Sequence, residues 1–595
     1  MRVLRTVLIA PSRYDEKGVV VFRVGISPNG ALGALAGMAE DYNRRHAGES
    51  RIDYDFFDEH VREPVTPALL RRWRDEAAAL GQRFVLMICG VQTMMYPRGR
   101  DVALMAVREG IEVIAGGVHL SAHGPSLEFL VSCGVHVAIG EVEPIWDEII
   151  DDALDGALQD VYRLSADQGI RVKAAVSYMT APDLTDIPFP HIPPERRRHY
   201  VNPAQLFIDG SRGCPFLCTF CVIKNVFGRT VRGRDSGRLV EWMSERVHCD
   251  GVRAFSFTDD NFVRNPAHME LLERLAAVRD QGLKFSISVI LDVESTCYAR
   301  EDSVRGERTR EFLRLCRAAG VAHVYIGLES TNDAVLREMR KGVNRDRADV
   351  HATAGRDDAN AARRRLVQRY RTAVQAWHDI GASVECGYIV GFSADGCGVG
   401  AQAARDLLEI GADVGTFFFL APLPGSEDFA RALSERTLLE VDFNEYFQRP
   451  MVSHPTLSPA DLEREVREGV RILWSWPNVL RRVSRGLLGI GRGRVTAPWV
   501  FLKRQLGYKA MLLSGLHTYV EGGLLRRPAD PSARREVIDD DEARDYYLKG
   551  AVVPSVLPKA MHDATSMESL PVLNDHYVSA SRVVPDPPAA RVVAG

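Results

Sequence analysis

Three of the ten cysteines in this 595-residue chain lie close together, in the segment Ser211-Arg-Gly-Cys-Pro-Phe-Leu-Cys-Thr-Phe-Cys221. With three and then two residues between them, Cys214, Cys218 and Cys221 can turn their sulfurs inward on one polynuclear centre. A zinc site brings four ligands in two pairs, and no second pair follows here. An electron-transfer 4Fe-4S cluster also uses four cysteines. Three ligands leave one iron open, which a cluster needs if it is to bind a substrate or cofactor directly. The other seven, Cys89, Cys133, Cys249, Cys297, Cys316, Cys386 and Cys397, stand singly. Most sit in apolar patterns and read as small buried hydrophobes. Ten cysteines in so long a chain are too sparse for a disulfide scaffold, and the expected compartment is the cytoplasm.

The elements that must position the three thiols are six strand-helix units. The expected strands are Leu206 to Asp209, Ala254 to Thr258, Phe285 to Ile290, His323 to Gly327, Val384 to Val390 and Phe417 to Leu420. The helices between them fall near Gly237 to Val247, Ala267 to Asp280, Thr309 to Ala319, Asn332 to Arg340, Gln368 to Ile380 and Val399 to Ile410. Six such units predict a parallel barrel or half-barrel with its chemistry at the carboxyl ends of the strands. The cysteine cluster directly follows the first of those strands.

A second strand-helix alternation fills the first 150 or so residues, with strands at Val3 to Ala10, Ile52 to Phe57, Phe84 to Cys89, Val113 to Ala115 and Val135 to Ile139. It predicts an α/β, Rossmann-like doubly wound sheet, whose ligands sit at the carboxyl ends of its strands. Glycines gather there, in Gly90-Val-Gln-Thr-Met94, Ala115-Gly-Gly-Val-His-Leu-Ser121 and Ile139-Gly-Glu-Val-Glu143. Taken alone, these are equally well ordinary strand-to-helix turns. The domain plan is 1–156 for this unit, 157–201 for a linker carrying the proline-rich Ile187-Pro-Phe-Pro-His-Ile-Pro-Pro194, and 202–440 for the barrel. A helical, basic region follows at 441–550, and a disordered tail at 551–595.

The cysteine segment resembles the signature of the radical S-adenosylmethionine (SAM) superfamily. The resemblance implies that the open iron is chelated by SAM, whose reductive cleavage yields a 5'-deoxyadenosyl radical. It implies SAM contacts at Phe220 before the third cysteine and at Asp259 and Asp260 in Phe257-Thr-Asp-Asp-Asn-Phe262. It further implies contacts at Glu329 and Ser330 ending Tyr325-Ile-Gly-Leu-Glu-Ser330, and at Gly387 and Gly391 in Gly387-Tyr-Ile-Val-Gly-Phe392. The acidic residue expected three places after Gly391 is instead Ala394. Without the resemblance, the two aspartates can simply cap the next helix, Glu329 can pair with a nearby arginine, and the glycines can serve strand packing.

The amino-terminal unit is similar to the cobalamin-binding domain that precedes many such barrels, and together the two resemblances cover roughly residues 1 to 440. The likeness implies cobalamin contacts at Gln92, Thr93, Gly116, Gly117, Ser121, Gly140 and Glu141. Many cobalamin domains supply a cobalt-binding histidine from Asp-x-His-x-x-Gly after the first strand. Here Asp58-Glu-His-Val-Arg-Glu63 follows the second strand and lacks the glycine, so His60 reads as a surface residue. The commonest chemistry of this domain pair is methyl transfer from methylcobalamin to an unactivated carbon of a small-molecule, lipid or peptide natural product. Relatives also perform cyclisation and ring rearrangement, and a cobalamin-holding sensor without catalysis is the alternative from another class. A reducing partner such as flavodoxin or ferredoxin is implied.

A formal net charge of -4 gives the chain no strong pull toward nucleic acid. The opening apolar run is too short for a secretory signal, and no run of about 18 apolar residues suggests a membrane span. A local basic stretch holds Arg481, Arg482, Arg485, Arg492, Arg494, Lys503, Arg504 and Lys509 among apolar residues. It suits peripheral contact with an anionic membrane, an acidic substrate, or a solvated helix face. The polar run from Asn344 to Arg365 reads as an insertion at the barrel mouth.

Overall fold

The computed structural model describes residues 1–14, 20–21, 25–345, 359–439, 443–491, 505–506 and 509. Arg492, Arg494, Lys503, Arg504, the tail from 551 and most of the polar run after Asn344 lie outside the described residues.

The first sheet holds β1 (Arg2–Ala10), β2 (Ser50–Asp58), β3 (Arg83–Ile88), β4 (Glu112–Gly116), β5 (His136–Ala138) and β6 (Val161–Tyr162). They run parallel in the order β2-β1-β3-β4-β5-β6. Parallel strands are covered on both faces, so their apolar runs are continuous, as in Val7-Leu8-Ile9. Separate apolar cores lie on the two faces. The strand order reverses between β1 and β3, which opens the crevice for a ligand at their carboxyl ends. Strand β6 lies inside the stretch read as a linker. The antiparallel hairpin β7 (Ile170–Lys173) and β8 (Tyr178–Ala181) lies there too. Strands of two to four residues are too short to show a periodicity.

The second sheet joins β9 (Gln205–Ile208), β12 (Ala254–Phe257), β13 (Ser286–Leu291), β14 (Val321–Glu329), β15 (Ser383–Val390) and β16 (Val414–Phe419), all parallel and in sequence order. The two-residue strands β10 (Ser211–Arg212) and β11 (Arg232–Gly233) pair with each other outside it. All six expected strand-helix units are present. Alternation on the strands assigns the faces. Leu206, Ile208, Phe255, Phe257, Ile287 and Val289 are buried under the helices. Gln205, Phe207, Ser256 and Ser288 stay half-buried on the opposite, concave face, and Ile290 is exposed there.

The described segment after the expected boundary near 440 packs against both sheets. Phe443, Tyr446 and Met451 join the core of the first sheet. Tyr14 and Asn444 exchange two bonds, Tyr14 N–H to Asn444 Oδ1 at 2.8 Å and Asn444 Nδ2 to the Tyr14 carbonyl at 3.0 Å. The helix Pro459–Leu473, opened by a Ser458–Asp461 capping box, packs against the helix Val399–Ile410. A Cβ on Gly400 would stand 1.7 Å from the Glu465 carbonyl oxygen, so the contact requires glycine. Two of the basic side chains turn inward. Arg482 donates to the Leu473 carbonyl and Lys509 to the Trp474 carbonyl, both at the end of that helix, where cations suit its dipole. Among the described residues no helix is long and apolar enough to cross a membrane.

Candidate active site

The three cysteines lie on a loop, 213–231, that leaves and returns through the two-residue ladder of β10 and β11. Gly213 starts it at φ 97°, where a Cβ would stand 2.6 Å from the Thr230 carbonyl oxygen. Its N–H donates to Asp260 at 2.8 Å. Asp259, fully buried, accepts from the Gly210 N–H at 2.8 Å and from the Ser211 hydroxyl. Burial pushes Asp259 up to about 7 and Asp260 up to about 6. These two carboxylates thus hold the entry of the cysteine loop. Neither caps the following helix, His268–Asp280, which starts after Ala267 with no side-chain cap.

Cations pin the rest of the loop. Lys224 donates to the Cys218 carbonyl at 3.0 Å and Arg229 to the Pro215 carbonyl at 3.0 Å, while the Thr219 N–H reaches the Met339 carbonyl at 3.1 Å. The thiols of Cys214, Cys218 and Cys221 are left half-buried, with the backbone amides of Phe216 and Ile223 directed at the first and third. Burial pushes Cys214 up to about 11 and Cys221 up to about 12. Burial raises Cys218 as well, against the pull of Lys341. Such thiols ionise readily only on metal binding, and amides aimed at sulfur then favour the thiolate. Among the described residues, no three His, Cys, Asp or Glu side chains converge on one ion. A cluster does not require that, since each thiolate takes its own iron. The donor set fits a 4Fe-4S cluster.

A second group of polar residues adjoins it. Strand β14 ends in Glu329 at φ 63°, a conformation a side chain rarely adopts, with its carboxylate 2.6 Å from the ammonium of Lys341. Lys341 is largely shielded from solvent beside Cys218 and stands 5.8 Å from the centre of the Phe220 ring. Gly387 leaves space here, because a Cβ would fall 2.1 Å from the Tyr325 hydroxyl and 3.7 Å from Glu329. At the end of β15, the N–H groups of Gly391 and Phe392 donate to Asp395 at 2.8 and 3.1 Å. An acid therefore does serve this turn, one place beyond Ala394. Ser330 is fully buried, accepting from the Asn332 N–H at 3.0 Å. Phe220 and Glu329 meet at Lys341 and Gly387 faces Glu329, whereas Ser330 is engaged in its own turn.

The superfamily model described as "Radical SAM superfamily" matches residues 208–357, which include all three cysteines and Glu329. Residues 208–357 form a radical SAM domain. Bacteriochlorophyllide d C-12(1)-methyltransferase of Chlorobaculum tepidum is 28% identical over 54% of this chain, which spans 60% of that relative's length. The structure is similar in fold to the radical SAM methyltransferase TsrM from Kitasatospora setae, solved with cobalamin and a [4Fe-4S] cluster bound. The TM-score is 0.51 at 15% identity, covering 78% of this chain and 82% of that one. It is also similar to the cobalamin-dependent SAM radical enzyme OxsB, with a TM-score of 0.53 at 13% identity, covering 86% and 72%.

The first sheet turns a crest of glycine loops toward the radical SAM domain. Gly117, at φ 147°, brings β4 so close to the β3 loop that a Cβ would stand 2.2 Å from the Val91 nitrogen. Ser121 donates to the Gly117 carbonyl at 2.9 Å and accepts from the Gly140 N–H at 2.8 Å. Gly116, Gly117, Ser121 and Gly140 are thereby joined, with Gln92 exposed beside them. Thr93 is buried, 3.2 Å from His119. Glu141 differs from its neighbours, since its buried carboxylate is occupied by Arg212 and Arg232 of the radical SAM domain. The ring of His60 is partly buried, 2.9 Å from Asp58 at the end of β2 and away from the crest.

Several participants were invisible in the sequence. Lys341 and Tyr325 carry no spacing signal, and their proximity arises only from the barrel. His119 and His123 pack against Phe443, over three hundred positions away. Burial lowers both imidazoles, His123 to about 3, and holds them neutral. Both ring nitrogens of His119 face hydroxyls, those of Thr93 and Ser126.

Proposed function

We propose that this chain is a cobalamin-dependent radical SAM methyltransferase that methylates an unactivated carbon of a small organic molecule. The observation that carries this reading is the meeting of two mouths. The helix Val118–Ala122, on the crest of the first sheet, packs against the helix Ile223–Val226 immediately after Cys221, through Ala122, Val222 and Val226. A corrinoid on that crest would adjoin the cysteine loop. The methyltransferases among the similar proteins support the same reading.

With its groups bound, the site would couple one-electron cleavage of SAM at the cluster to a methyl carried on cobalamin. The chain itself binds, orients and excludes. Cys214, Cys218 and Cys221 would ligate three irons, while Lys224 and Arg229 fix the loop that carries them. Glu329, Phe220 and Gly387 would frame SAM, Lys341 holding the carboxylate of Glu329 in place. Asp259 and Asp260 act as positioning residues for the loop entry. The concave face of the half-barrel, with Gln205, Ser256, Ser288 and Tyr325 beside Phe207 and Ile290, mixes hydrogen-bonding and apolar groups, as a small-molecule site does.

The test is anaerobic reconstitution with iron, sulfide and hydroxocobalamin, followed by reduction in the presence of SAM. Formation of both 5'-deoxyadenosine and S-adenosylhomocysteine is expected. Absence of both would rule out the enzyme, and 5'-deoxyadenosine alone would point to cyclisation or rearrangement instead of methylation.

A further inference from the structure

The cysteine loop has a neck, and one carboxylate of the other domain closes it. Both arginines of the ladder that begins and ends the loop, Arg212 on β10 and Arg232 on β11, face each other in register. Arg212 Nη1 donates to Glu141 Oε2 at 2.7 Å, and Arg232 donates to Glu141 through Nη1 at 3.1 Å and Nη2 at 2.6 Å. The side chains of Glu141 and Arg232 are 3% and 4% exposed, so the pair is shielded from water and salt. Further ion pairs surround it. Arg212 also reaches Glu143 and Asp209, each at 2.7 Å, and Arg234 binds Asp209 at 2.9 Å. Arg232 further ties down the Phe227 carbonyl within the loop and the Pro182 carbonyl beyond β8.

We propose that Glu141 is a positioning residue that clamps the neck of the cysteine loop shut from the first domain, rather than a contact to the corrinoid. With both carboxylate oxygens held by arginines, its acceptor capacity is directed at the loop. Because Gly140 is bonded to Ser121, the clamp fastens the cysteine loop to the crest itself. This inference rests on the reading that the loop holds an iron-sulfur cluster. Its consequence is local. Without the Glu141 charge, the two ladder arginines lose the group that draws them together, the neck opens, and the loop breathes more often while the rest of the fold stays intact.

The test uses the full chain, loaded anaerobically with iron and sulfide and without cobalamin, and follows loss of iron to a ferrous chelator. Glu141→Gln is expected to load the same iron and sulfide as the wild type but to release iron at least about tenfold faster. Hydrogen exchange on the same samples should speed up across residues 211–233 and stay unchanged in β14 and β15. Glu141→Asp keeps the charge but spans the two arginines poorly, and should release iron at an intermediate rate. It also serves if the glutamine variant does not fold. Wild-type release rates in both variants overturn the clamp, as does faster exchange spread evenly over the chain. Wild-type release together with weakened binding of hydroxocobalamin, measured in a separate titration of Glu141→Gln, would overturn the clamp and return the residue to the corrinoid. A wild-type chain that takes up no iron or sulfide overturns the cluster reading, and the clamp with it.

Discussion

Glu329 is held in the left-handed region at φ 63°, a conformation that costs a residue with a β-carbon on the order of 1–2 kcal/mol. The compensation is its contact with Lys341 at 2.6 Å, between side chains about one-tenth exposed. An uncompensated buried ammonium is expensive, and removing one partner of such a pair typically costs about 3 kcal/mol or more. Glu329→Gln is therefore expected to lower the stability of the whole chain in urea by roughly that amount, with SAM affinity lost as well. Adding Lys341→Met should recover most of the stability and none of the affinity. Recovery of neither would mean that the pair is not what holds this turn.

At the scale of elements, the turn after β15 depends on Asp395, whose Oδ2 collects the N–H groups of Gly391 and Phe392 while burial pushes its pKa up to about 6. A carboxyl that binds its proton more tightly in the folded state stabilises fully below its unfolded pKa, near 4, and loses that contribution as pH rises through about 6. The stability difference between wild type and Asp395→Asn should accordingly fall by up to about 3 kcal/mol from pH 4 to pH 7. A difference independent of pH would contradict this assignment. The same scale shows what the sequence made legible. Strands such as Val384 to Val390 are visible because a parallel strand covered on both faces is apolar throughout. The spacing of Cys214, Cys218 and Cys221 is visible because the three residues lie on one short segment. The β7–β8 hairpin, Lys341 and the partners of Glu141 were not legible, because each acquires its meaning only from residues brought near by the fold. Ala394 shows the same limit in miniature, since the acid of this turn sits one position later.

For the molecule as a whole, the decisive feature is that the two sheets are not independent. Phe443, in the segment after the barrel, lies with its ring 4.8 Å from that of His119 and 5.2 Å from that of His123, inside the core of the first sheet. One cooperative calorimetric transition is expected for the chain. Phe443→Ala should cost about 3–4 kcal/mol and split that transition, the first sheet melting earlier. Two transitions already present in the wild type would show that the tie is weak. This union is what brings the glycine crest over the cysteine loop, and the proximity of the two sites is the central claim. Electron paramagnetic resonance of the chain loaded with both groups tests it most directly, with the cluster reduced and cobalamin in its cob(II)alamin form. Close spins broaden or split each other's signals, and that coupling is the result expected here. A spectrum equal to the sum of the two singly loaded samples would contradict it.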